Sequence, residues 1–300
     1  IISVFLRTLP IFQKAVSFHY DMARDAFVAQ KIIQGDLKIM GPPSSTPGLF
    51  HGVLYYYLLA ILYQLGYGNP LFVSAVFSII SSFSVFPIYY LASDFFKNQK
   101  MGILAGILFS VSFEATQYAP WLSNPSLALP CMAWYFYGIW LWGKGRSSGF
   151  LLAVAAAVLG TQFQLFLATL LINIFLFGII FKLKIKLKNI ILAIAMTLIG
   201  LSSYVIGFGK FGIYPQIWEI VAGRIPTSQY VFRIQFTDVF FNYINRFVDI
   251  YINNFFPSNI FVGGVIGIIS IILSKPYPFI LFSLFTTLPL FVFGGHNSNY

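Results

Sequence analysis

Between Tyr20 and Tyr57 the chain gathers Asp21, Arg24, Asp25, Lys31, Asp36, Lys38 and His51 into one polar interval, with His19 just ahead of it. A carboxylate can take a proton from a hydroxyl, and a guanidinium presents a fork of donors to a phosphate. An imidazole donates or accepts near neutral pH. Beside an apolar chain, that set suits chemistry on a charged lipid. A helix over 21–34, stopped at Gly35, puts Asp21, Arg24, Asp25 and Val28 on one edge, with Met22, Ala26, Ala29 and Ile33 opposite. This is an interfacial helix with an acid–cation–acid edge. The same spacing also fits Asp21 as an N-cap with Arg24 as its surface partner.

Other residues stand further along. His51 lies between the turn-rich GPPSSTPG and the helix-like HGVLYYY, at the level of a phosphate headgroup, where a simple hydrogen-bonding role is the alternative. Lys31 and Lys38 are weaker phosphate ligands. Glu114 stands inside an apolar run, four residues before Tyr118. An ionised carboxylate in lipid is costly, which marks Glu114 as functional unless it reaches water at the outer end. Asn124 precedes Pro125 and fits a turn or cap. Gln162 and Gln164 interrupt a helical run and fit interhelical hydrogen bonding. No spaced metal set is present: His19 and His296 are remote from His51, and a single cysteine, Cys131, excludes an internal disulfide and a cysteine-based metal site.

The elements that must position these residues are apolar. Of 300 residues, 58% are hydrophobic and 9% charged, where a soluble domain carries about a quarter charged. The fold class is all-α, a polytopic integral membrane protein. Expected spans are 1–12, closed by Arg7 and Pro10, then 70–93, 101–118, 125–142, 189–208, 258–274 and 277–294. Residues 149–181 read as a tight pair of short helices broken at GTQFQ. Residues 52–66 would reach roughly 21–23 Å against an apolar core of about 30 Å, and so do not cross. They complete a first outer loop, 13–66, with interfacial helices; 209–257 is a long outer loop.

Charge supports this layout. Loops 94–100, 143–148, 182–188 and the turn at 275 hold nine of the eighteen Lys and Arg. Loops 13–51 and 209–257 hold eight in 88 residues. The dense loops face the cytoplasm, and the polar interval faces away from it. The net charge of +10 is thereby assigned to orientation and not to nucleic acid. KLKIKLK alternates like a strand but reads as a cytoplasmic positive loop. The chain opens in an apolar run and stops at GGHNSNY, which reads as a fragment of a longer protein.

On the segments YDMARDA, QGDLKIMGP, FHGVLYYYLL and QYAPWLSNPS, the chain resembles lipid-phosphate-sugar-dependent glycosyltransferases of the GT-C fold. It is most similar to bacterial relatives of the protein O-mannosyltransferases and of the lipid A aminoarabinose transferase. The likeness covers 1–300 in layout and is carried mainly by 18–60 and 114–130; GGHNSNY also looks like a later outer segment of that family. It implies a single GT-C catalytic domain in a bacterial or archaeal plasma membrane, with its site on the non-cytoplasmic side. The reaction implied is inverting transfer of a sugar from a polyprenyl-phosphate donor to a hydroxyl on a protein, glycan or lipid. Asp21 matches the loop acid that activates the acceptor, and Arg24 the arginine that binds the donor phosphate. His51 falls where a relative has a phosphate-contacting lysine. There are departures. Met22 replaces a second acid, Val53 a proline, and Asp25 a frequent aromatic, so Asp25 is a candidate to share the base role. Asn124 replaces a frequent aspartate, which puts a two-carboxylate divalent metal site in doubt; no cofactor is firmly implied. The alternatives are a transporter or lipid flippase of envelope glycolipids, which the nearly charge-free spans disfavour, and a non-catalytic envelope scaffold.

Overall fold

Helix stops set the layout. The computed structural model describes residues 1–44 and 49–212. The expected spans 258–274 and 277–294, most of the loop 209–257, the tip of GPPSSTPG and the closing GGHNSNY lie outside the described residues. Regular structure among the described residues is helical, with one isolated bridge between Pro43 and Phe50.

Helix α1 (Ile2–Phe12) is followed by α2 (Tyr20–Ile33), which ends where Gly35 takes φ 96°, a left-handed turn that glycine adopts without strain. Helix α3 (Leu54–Leu65) is the short element expected over 52–66. Asn69 caps α4 (Pro70–Ser82) by accepting from the Leu71 N–H at 2.9 Å, with Pro70 in the first turn. A turn at Phe83–Ser84 leads into α5 (Val85–Phe95). Asn98 caps α6 (Gln99–Val111) in the same way, and α7 (Phe113–Gln117) follows a break at Ser112. A 3-10 turn over Asn124–Leu127 opens α8 (Ala128–Gly143).

Residues 149–181 form the expected pair: α9 (Ser147–Phe163) and α10 (Thr169–Ile180), parted by extended Gln164. The stretch 183–186 of KLKIKLK pairs with no strand among the described residues and runs into α11 (Leu187–Lys210). Among the described residues two helical stretches, Pro70–Phe95 and Leu187–Lys210, are long and apolar enough to cross a membrane.

Small residues let the central helices close up. Gly138 of α8 abuts the Gly149 carbonyl and the backbone of Ala153 on α9, and Gly149 abuts the backbone of Trp142. Helices α8 and α9 therefore carry two sets of loops at opposite ends. At one end Lys144 Nζ pairs with Asp94 Oδ1 at 2.6 Å, Trp140 Nε1 donates to Asp94 Oδ2 at 2.7 Å, and Asn189 Nδ2 donates to the Ser147 carbonyl. At the other end Asn124 Nδ2 donates to the Phe163 carbonyl at 2.7 Å.

Arg7 differs from expectation. Helix α1 runs on through Pro10, and Arg7 is fully buried within it instead of closing it. Its Nε donates to the Ala115 carbonyl (3.1 Å) and its Nη2 to the Phe109 carbonyl (3.3 Å), and it lies 4.6 Å over the Phe109 ring. The break at Ser112 turns backbone oxygens aside from the α6 ladder, and the guanidinium takes up oxygens on both sides of that break.

Gly149→Ala is expected to force α8 and α9 apart at a cost of about 1–3 kcal/mol. Thermal unfolding in detergent checks this: the midpoint drops by several degrees, and an unchanged midpoint would refute the close backbone approach.

Candidate functional site

Helix α2 supplies the charged edge, but its buried face is not the one the spacing implies. Met22, Asp25, Ala29 and Ile32 form the buried stripe, and Ile33 is exposed. Asp25 therefore leaves the expected edge and turns inward, where it is only 3% exposed. The N-cap is His19, which makes no side-chain cap, so Asp21 does not cap; it sits in the first turn, where the helix dipole favours an acid.

Arg24 lies between the two acids. Its Nε and Nη2 both stand 2.9 Å from Asp25 Oδ1, and its Nη1 donates to Asp21 Oδ1 at 2.8 Å. The Asp21 side chain is 58% exposed and that of Arg24 28%. Tyr56 adds a hydroxyl donor to Asp25 Oδ1 at 3.3 Å. Burial pushes the Asp25 carboxyl up to about 6, against the opposing pull of Arg24 and Tyr56.

Three consecutive tyrosines of α3 hold three different segments, because successive helical residues point about 100° apart. The Tyr55 hydroxyl donates to the Leu122 carbonyl at 2.9 Å, that of Tyr56 to Asp25, and that of Tyr57 to the Lys38 carbonyl at 2.9 Å. The sequence reads this stretch only as part of an outer loop with interfacial helices; the identical chemistry of the three tyrosines hides three separate targets.

His51 closes a short antiparallel return: the Gly41 N–H donates to its carbonyl and its own N–H to the Pro42 carbonyl. The next residue, Gly52, abuts the Gln162 side chain, and Gly41 abuts the Gly52 carbonyl, so neither position has room for a Cβ. Gln162 fixes the return to the body: its Oε1 accepts from the Leu54 N–H at 3.2 Å and its Nε2 donates to the Gly200 carbonyl at 2.6 Å. His51 is 8% exposed, and its Nδ1 accepts from the Leu165 N–H at 3.2 Å. Burial, then the nearby Arg24 charge, lowers its pKa to about 4. At neutral pH it is an uncharged imidazole with its proton on Nε2. It is therefore a single N–H donor and not a second cation.

The remaining candidates go elsewhere. Lys38 pairs with Asp36 at 2.6 Å, and Lys31 lies 4.8 Å over the Phe27 ring. Glu114 is not inside a long span: the chain breaks at Ser112, and Glu114 sits half-buried in the first turn of α7. Asn124 is buried, and its amide ties the 3-10 turn to the end of α9. Trp121, which the sequence did not single out, brings the second loop against the first. Its ring meets His19 edge-on at 6.3 Å and Tyr118 at 4.8 Å, and His19 Nδ1 lies 4.0 Å from Asp21 Oδ2.

Among the described residues no three His, Cys, Asp or Glu side chains converge as a metal-binding group. The two α2 carboxylates both face Arg24, whose single positive charge offsets one of theirs. The arrangement thus offers an exposed acid, a guanidinium held from behind, and one neutral donor in reach of the guanidinium's field. No family model, curated protein or solved structure matches the chain.

The two perturbed groups oppose each other. Asp25 binds its proton more tightly folded (about 6) than unfolded (3.8), so it costs stability as pH climbs through that window. His51 binds its proton less tightly folded (about 4) than unfolded (6.5), so its contribution to stability grows as pH climbs over nearly the same range. Thermal midpoints measured from pH 4 to 6 are expected to slope downward with pH in His51→Gln, relative to the wild type, and upward in Asp25→Asn. Equal slopes in all three chains would contradict the burial of these groups.

Proposed function

We propose that the chain is an integral-membrane, inverting glycosyltransferase with a GT-C-type multi-span fold. It moves a sugar from a polyprenyl-phosphate donor to a hydroxyl of a protein, glycan or lipid acceptor. The observation that carries this reading is the Arg24 fork, with an exposed carboxylate on one arm and a buried one behind it. The resemblance of YDMARDA and FHGVLYYYLL to that enzyme class supports it further.

Each residue then has a task. Asp21 takes the proton of the acceptor hydroxyl as its oxygen attacks the anomeric carbon. The bond from that carbon to the phosphate oxygen breaks, and its electron pair leaves with the phosphate. Arg24 and the His51 Nε2–H stabilise the charge that builds there. A phosphate leaves readily, so no second carboxylic acid is needed to protonate it.

A site on the non-cytoplasmic face of a bacterial or archaeal plasma membrane is supported by the two ends of α8 and α9. The ends near Lys144, Arg146 and Lys188 carry dense positive charge, and the ends near Asn124 and Phe163 adjoin the α2–α3 array. The apolar helices between them suit the donor's isoprenoid tail, leaving the headgroup at the array.

Asp21→Asn is expected to lower sugar transfer by about 10²–10⁴-fold while membrane insertion is retained. The check is an assay of the full-length protein against a panel of polyprenyl-phosphate sugars, with acceptors mapped by mass spectrometry. Near-normal turnover in the variant would defeat the assignment.

A further inference from the structure

The site as it stands is closed to its own chemistry. In an in-line displacement, the base and the cation that receives the leaving phosphate lie on opposite sides of the reacting carbon. Asp21 Oδ1 and Arg24 Nη1 are 2.8 Å apart, with no room for a sugar ring between them. One of the two must let go when the donor arrives. The partners of Arg24 say which bond gives. Nε and Nη2 share one oxygen of Asp25, whose side chain is 4% exposed and also accepts from Tyr56. Nη1 meets an acid that is 58% exposed. A solvent-exposed ion pair is weak, whereas removing one partner of a buried pair strands a charge away from water.

We infer that Asp25 is a positioning residue that holds Arg24 by Nε and Nη2, so that the donor phosphate displaces Asp21 from Nη1 and thereby frees Asp21 to act as the base. This inference rests on the glycosyl-transfer reading above. The exchange moves no proton and no electron pair: one anion replaces another on the same N–H. Transfer then proceeds as described, the acceptor proton passing to the freed Asp21 and the broken bond's electrons to the phosphate. The arrangement makes both Asp21 oxygens available when a phosphate occupies the site, so the base is strongest when activated sugar is in place. The groups facing the exchange are Asp21, Asp25 and His19 on or beside α2, Tyr56 from α3, and His51 from the return that precedes α3. His51 is neutral at working pH, so it does not compete for either acid.

Three variants of the full chain in detergent separate the roles, with a sugar-free polyprenyl monophosphate as the binding probe. Asp21→Asn removes the competitor for Nη1 and is expected to bind the probe about two- to fivefold more tightly, as suits a weak exposed pair, while sugar transfer falls by about 10²–10⁴-fold. Asp25→Asn frees the back of the fork and is expected to weaken probe binding and raise the donor KM by about tenfold or more, with kcat changed far less. Asp25→Glu is expected to recover part of that affinity. Weaker probe binding by Asp21→Asn would overturn the inference, since Asp21 would then be a ligand and not a competitor. So would an Asp25→Asn chain that loses kcat with KM unchanged, since Asp25 would then be the base. A wild-type chain that transfers sugar while Asp25→Asn matches it in both measurements overturns this inference alone. A wild-type chain that neither binds the probe nor transfers sugar overturns the reading of the site, and the inference falls with it.

Discussion

A carboxylate that is almost wholly out of water, held by a neighbouring guanidinium, is the constraint around which the described part of this chain is built. Asp25 is tolerable in its position only because Arg24 reaches it twice and Tyr56 once. Helix α2 cannot meet that demand alone. It needs α3 across it to deliver the phenol, and α3 in turn is set by Tyr55 on Leu122 and Tyr57 on Lys38. The first and second loops are thus registered to each other through one short helix. The position of the guanidinium, and through it that of Asp21, follows from that registration.

The chain around His51 serves the same end by different means. Its backbone return is pinned by Gln162 and by the two glycines that let backbone meet backbone and side chain. Met40 and Ile39, at the other limb, rest on Gly207 of α11. A positive side chain here would repel the Arg24 fork. The buried imidazole supplies a donor without that repulsion, because burial and Arg24 together keep it unprotonated.

Much of this was legible in the sequence. Asn69-Pro70, Asn98, Gly35 and the interruption at GTQFQ are local signals with local causes, and the helices start or stop at them. The brevity of 52–66 was visible as length alone. The facing of α2 was not. An acid in the buried stripe breaks the apolar periodicity that pattern reading relies on, so Asp25 was assigned to the exposed edge. Only its partners on α3 explain the burial. The charge state of His51 was hidden for a related reason: it depends on how much of the ring is covered and on the Arg24 charge, and the place of its proton depends on Leu165, more than a hundred residues away. Arg7 and Glu114 were misplaced because the break at Ser112 carries neither a proline nor a glycine.

The Arg7 contacts also constrain how the protein is made. Its described acceptors lie 102 and 108 residues further along the chain. Synthesis runs from the N-terminus, so α1 leaves the ribosome before the described acceptors of its guanidinium have been made. Until the Phe109–Ala115 segment is delivered, that charge must stay hydrated, and α1 cannot settle into its final packing. Helix α1, made before its partners, is therefore seated only after they arrive, and the stretch around Ser112 acts as the latch that completes its docking.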